Sequence, residues 1–182
     1  MPMNRAALRA CGLVAGALLA LGLSAAYAQT WPAESADPTV ARVFELTNLE
    51  RERAGARPLL LSPELTAAAQ EYSVVMASSS CFAHTCAPMP DLVQRAQSAG
   101  YVRLAAVAEN IAAGYPTPEA VMVGWMGSAA HRANLLSSTY TDIGIGVATG
   151  GDYGIYWTEN FAARAESPTS ARLEASPDGQ SI

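Results

Sequence analysis

The sequence predicts an α+β domain, and three observations carry that reading. Four segments open with one grammar, a capping residue at Asp37, Ser62, Asp91 or Thr117, followed in three of them by proline at the first helical position. Downstream, "DIGIGVATGGDYGIYWTENFA" alternates apolar residues on both sides of Gly150-Gly151-Asp152, the signature of a β-hairpin. Residues 29–182, which hold all of these, suffice for one domain with a substantial core, and no second domain is expected.

Residues 1–28 carry Arg5 and Arg9, then an apolar run, then a small-residue end at Ala28, and so read as a secretory signal peptide. A membrane anchor would need roughly 20 apolar residues. Cys11 precedes the apolar run, where a lipidated cysteine would follow it. Residues 29–37, polar and proline-containing, form a leader.

The first helix starts at Pro38, its apolar stripe of Val40, Val43, Phe44, Leu46, Thr47 and Leu49 set against the charged run "ERER", and Gly55 ends it. "RPLLLS" is a short extended connector. The second helix, capped by Ser62, buries Leu65, Ala68, Ala69, Tyr72, Val75 and Met76, and serines 78–80 let its end fray. "CFAHTCAPMP" is a loop, and a short third helix runs from the Asp91 cap to Gly100. "VAENIAAG" fits a strand or a turn, with Val107, Ile111 and Ala113 facing inward. A fourth helix opens at Thr117-Pro118-Glu119 and buries Val121, Met122, Trp125 and Met126, and "SAAHRANLL" is a fifth, capped by Ser128. Residues 164–182 are Ser, Pro, Ala and charge, too poor in large apolar groups to order themselves, and are expected to be disordered.

The formal net charge is −5, and loss of Arg5 and Arg9 with the signal peptide lowers it to −7. That balance argues against nucleic acid and anionic membrane as partners, since both need a basic face. No stable membrane insertion is expected after signal removal, and the protein should be secreted or periplasmic. Only Cys81 and Cys86 then remain, and an even pair in an oxidising compartment is most simply a disulfide. Closing so short a loop is worth about 2 kcal/mol and stiffens the segment that carries His84.

The chain has two histidines, His84 in "CFAHTC" and His131 in "SAAHRANLL". Glu109 sits between Ala108 and Asn110 in an apolar setting, which is costly unless a histidine or a metal satisfies it. Each residue alone has a bland alternative: a loop histidine on backbone, a partly exposed helix histidine, a carboxylate accepting backbone N–H bonds. Ser128 stands three residues before His131 and invites a Ser/His/Glu triad, but as N-cap its hydroxyl is already used, and no nucleophile elbow is present. Cys81, His84, Cys86 and His131 loosely permit a zinc site, against which export favours the disulfide. Trp125, Trp157, Tyr140 and Tyr156 read as core more than as a ligand groove. Asn134 holds its loop or contacts a ligand, and Arg132 reads as a surface ion-pair partner.

In chain order, "LTNLERERAGARPLLLSPELTAAAQEYSVVM", "FAHT", "GY", "AENIAAG", "WMGSAAHRANLL", "YTDIGIGVA" and "YWTENFA" resemble the CAP superfamily of cysteine-rich secretory, antigen 5 and pathogenesis-related proteins, in its compact bacterial, SCP-like form. The resemblance spans about Val40 to Ala162. It implies an α/β/α sandwich with a small antiparallel sheet between helical layers and an open cleft. It also implies a cleft tetrad of two histidines and two acids, able to hold a divalent metal, zinc for instance, through His84 and His131. Glu109 fills the third place. The fourth has only Ser128 or nothing, so a metal here would need water as a further ligand. Relatives often carry glutamine where Glu159 stands, and Glu159 adds a carboxylate if it faces the cleft.

The expected function is an exported, non-catalytic module whose cleft binds a divalent metal and a small apolar or cell-envelope ligand. A hydrolase, with Glu109 or a histidine activating water, is the first alternative, and an extracellular interaction scaffold the second.

Overall fold

The computed structural model describes residues 37–166. The expected signal peptide, the leader up to residue 36 and the tail from residue 167 lie outside the described residues, while Arg164, expected to begin the disordered tail, instead ends the last strand and bonds Glu64. The elements are α1 (Pro38–Arg53), β1 (Leu60–Leu61), α2 (Pro63–Ser79), α3 (Leu92–Ser98), β2 (Leu104–Ala113), α4 (Pro118–Gly127), α5 (Ala129–Leu136), β3 (Asp142–Gly150) and β4 (Gly154–Arg164). Four of the five predicted caps close as expected: Thr39 N donates to Asp37 at 2.8 Å, Leu65 N to Ser62 at 3.2 Å, Gln94 N to Asp91 at 2.9 Å and Ala120 N to Thr117 at 3.2 Å.

The strands form one sheet in the order β1-β3-β4-β2. It is mixed, a correction to the antiparallel sheet expected: the connector between α1 and α2 runs parallel to β3, Leu60 N donating to Thr141 O and Ser62 N to Ile143 O. β2 and β3 both pair antiparallel with β4. "VAENIAAG" proves to be strand. Its alternation is unreadable because both faces are covered: Glu109, Asn110, Ile111 and Ala112 are all buried. Val107 and Ala113 are only half-buried.

α2 lies directly on one face, where a Cβ on Gly144 would stand 2.0 Å from the α2 backbone at Leu65 and one on Gly146 2.3 Å from that at Ala69. α1, α4 and α5 cover the other face, where Val43, Trp125, Leu135, Ile145, Trp157 and Phe161 form the main core. Trp125, Trp157 and Tyr156 are buried, and Tyr140 packs on Phe161 at 5.9 Å, so these aromatics are core as read.

Three local expectations change. Arg51, read as part of a solvated charged run, is buried and donates to the carbonyls of Arg57, Leu135 and Ser137, tying α1 to the end of α5. Serines 78–80 do not fray: Ser78 and Ser79 bond back to Val75 O, and Ser80 ends the helix in the left-handed region at φ 51°. Leu49 and Val75 are not core, Leu49 being exposed and Val75 half-buried. Beyond its two-residue pairing with β1, the outer edge of β3 meets Gln70, whose amide donates to Val147 O at 2.8 Å and accepts from Val147 N at 3.1 Å.

Candidate functional site

The loop between α2 and α3 is pinned at several points. Cys81 and Cys86 form the expected disulfide, Tyr72 Oη donates to Ala83 O at 2.7 Å, and Arg95 Nη1 donates to His84 O at 3.2 Å and to Pro90 O at 3.4 Å. With both sulfurs in a disulfide, the Cys2His2 zinc alternative is overturned. The pinned loop sets His84 over β2, where its Nδ1 lies 2.9 Å from Glu109 Oε1.

The other carboxylate oxygen of Glu109 accepts from Arg95 Nη2. Arg95 is buried, with its guanidinium 3.4 Å above the Tyr72 ring, a stacking that suits a planar cation. Burial pushes the Glu109 carboxyl above its ordinary range, while Arg95 and His84 pull it down. The demand that Glu109 be satisfied is therefore met by an arginine that sequence reading did not single out. Its position on the short helix behind the histidine loop was the one available signal.

His131 is half-buried on α5, and burial and then the charge of His84 both lower its pKa, so its imidazole is neutral at neutral pH. Its carbonyl accepts from Asn110 Nδ2 at 3.2 Å. Asn134 has the loop-holding role of its two readings: its Nδ2 reaches Asn110 Oδ1 at 2.9 Å and Glu109 O at 3.4 Å.

Glu159 does not add a carboxylate to the cleft. It is wholly buried on the α1 side of the sheet, taking the Thr47 hydroxyl at 2.9 Å and Asn110 Nδ2 at 3.2 Å, and burial raises its pKa to about 8. Ser128 precedes α5 with extended backbone, but its side chain makes no cap bond, so the hydroxyl expected to be occupied there is not. Arg132 is exposed and forms no ion pair among the described residues, against the surface pairing expected.

Among the described residues no group of three or more His, Cys, Asp or Glu side chains is placed to hold a metal ion. Two imidazoles remain as candidate donors. His84 turns Nδ1 to a carboxylate, which leaves Nε2 as the outward lone pair on a side chain 62 % exposed, and His131 is a neutral imidazole. Such a pair suits an open divalent site completed by water, and not a closed structural one.

Two residues before His84, Phe82 packs on Tyr153, the two exposing 44 % and 54 % of their surface with ring centroids 5.7 Å apart. The sequence hid this pair, because one ring comes from the histidine loop and the other from the β3–β4 turn.

The pattern of CAP, the cysteine-rich secretory protein family, matches residues 44–161. The uncharacterized protein YkwD of Bacillus subtilis is 34% identical over 123 residues, 68% of this chain and 46% of that protein. The uncharacterized membrane protein YlbC of the same species is 32% identical, over 68% of this chain and 34% of its own. The chain thus spans less than half the length of these curated relatives. An extracellular SCP-domain protein of Bacillus anthracis superposes with a TM-score of 0.62 at 30% identity, covering 70% of this chain and 40% of that one. An outer surface protein of Borrelia burgdorferi superposes at 0.61 over 68% of this chain and 90% of its own, but at 19% identity it speaks for the fold alone. With the helical layers, the four-stranded sheet and this match over most of the described residues, the chain belongs to the CAP family of cysteine-rich secretory proteins.

Proposed function

We propose that this chain is an exported, non-catalytic CAP module whose cleft binds a divalent cation through His84 and His131 and takes a small apolar or cell-envelope ligand beside it. The observation that carries this is the clamping of Glu109 between Arg95 and His84. A carboxylate with both oxygens engaged orients the histidine behind which it sits. It is not free to take a proton from water, which weighs against the hydrolase reading. The exposed rings of Phe82, two residues before His84, and of Tyr153 supply an apolar surface for the ligand. Export is supported by the reading of residues 1–28 as a signal peptide and by the extracellular SCP-domain protein it resembles.

The test is calorimetric titration of zinc into metal-stripped protein at about pH 7.5 and about pH 5.5, on either side of the ordinary histidine pKa. Binding is expected at the higher pH, weakened at the lower, and lost in His84→Ala and in His131→Ala. Binding that ignores both pH and the two substitutions would overturn the reading.

A further inference from the structure

A second buried chain of polar groups crosses the α1 side of the sheet. Thr47 Oγ1 donates to Glu159 Oε1 at 2.9 Å, Asn110 Nδ2 lies 3.2 Å from both Glu159 Oε2 and His131 O, and Asn134 Nδ2 reaches Asn110 Oδ1 at 2.9 Å. Thr47, Asn110 and Glu159 have no exposed surface. A primary amide has two N–H donors and one carbonyl oxygen, and Asn110 commits all three functions here. Its orientation is therefore fixed, since a flipped amide would set its oxygen against the His131 carbonyl and its N–H groups against the Asn134 amide.

Among the described residues no charge compensates Glu159, whose acidity is set by burial, Thr47 and Asn110. The charged groups on the elements packed over it are committed elsewhere or outward. Arg51 donates to three carbonyls, Arg42 pairs with Glu45 and Glu119, Arg53 pairs with Glu50, and Glu52 and Arg132 are exposed. His131 offers the network only its main-chain oxygen. A carboxyl group so enclosed is far less costly as the neutral acid than as an anion.

We infer that Glu159 is a positioning residue for His131: carrying its proton it locks Asn110, and through Asn110 the main chain of α5, while losing that proton releases the helix and the histidine with it. The inference rests on His131 belonging to the site. An uncompensated anion draws in water, and the cheapest opening is on the α5 side. β4 is a central strand, whereas α5 has eight residues and only Leu135 wholly buried. The direction of the Glu159 pKa, raised to about 8, agrees.

The experiment is amide hydrogen exchange on the whole metal-free protein between about pH 6.5 and about pH 9.5, with protection factors corrected for intrinsic exchange, in wild type, Glu159→Gln and Thr47→Val. In wild type, protection in α5 should fall roughly tenfold or more, relative to β3 and β4, over a pH range centred near the Glu159 pKa. Glu159→Gln should hold α5 protection constant. Thr47→Val, which removes a donor to the anion, should move the fall to higher pH, and it decides the matter alone if Glu159→Gln does not fold. Constant wild-type protection, or a fall that survives in Glu159→Gln, would overturn the inference. Because no metal enters, a zinc titration without binding overturns the cation reading only, and pH-independent α5 protection overturns this one only.

Discussion

Arg95 and Glu109 meet inside the protein with side chains 1% and 3% exposed, the arginine seated on the ring of Tyr72 and the glutamate turned outward to His84. Neither charge has water to fall back on, so each depends on the other. The same guanidinium also holds the carbonyls of His84 and Pro90, so one side chain fixes both the acid and the loop above it.

Arg95→Leu should therefore cost about 3 to 5 kcal/mol, the range for leaving a buried charge unpaired. Arg95→Lys should not restore this, because an ammonium cannot lie flat on Tyr72 and reach both carbonyls and the carboxylate. Urea denaturation of both variants checks the prediction, and a Lys variant of wild-type stability would sink it.

Replacing Cys81 and Cys86 together with alanine should lower stability by only about 2 kcal/mol, since the loop they close is short. Tyr72 and Arg95 continue to hold that loop. The loss should appear as faster amide exchange in residues 80–86, with the exchange of β3 and β4 almost unchanged.

His131 and Glu159 should pull the pH dependence of stability in opposite directions. His131 has its pKa lowered from 6.5 by burial, so the folded state binds that proton less readily than the unfolded chain. Its contribution is complete above about 6.5 and is lost as the pH falls through the lower folded value. Glu159 has the opposite sign: its pKa rises from 4.5 to about 8, so its contribution is complete below 4.5 and declines as the pH rises toward 8. Thermal unfolding should show Glu159→Gln removing a decline in stability as the pH rises from 4.5 toward about 8, and His131→Asn steepening that decline just below 6.5, where the His131 gain had opposed it.

Gly144→Ala and Gly146→Ala should each cost at least 1 to 3 kcal/mol, the usual range for overpacking. The added Cβ meets main chain of α2, which cannot swing aside as a flexible side chain would. A small or stabilising effect on Tm would show that α2 can ride up without loss.

Much of this was legible from the sequence because capping is a local matter. Asp37, Ser62, Asp91 and Thr117 each bond an N–H two or three residues ahead, and the hairpin carries its own turn. What stayed hidden needed partners distant in the chain. Arg51 and Arg95 look like surface residues until the carbonyls they serve, at Leu135 and Ser137 and at His84 and Pro90, are brought to them. β2 lacks a polar face for a period of two to show, and Glu159 lies three residues from the end of a strand pattern in which inward and cleft-facing cannot be told apart. His84, Glu109 and His131 were found as candidates because functional groups are scarce in their segments. Of their geometry, the arginine left only one sign in the sequence, its place on the short helix behind the histidine loop.

The amide of Gln70 has a further consequence for how copies of this protein behave toward one another. A strand edge with free N–H and C=O groups is a template on which another chain can add its own strand, the first step toward sticking and fibre growth. By donating to and accepting from Val147 at once, Gln70 stands where that stranger would have to begin, a stopper one residue long on the side of β3 that β1 leaves uncovered.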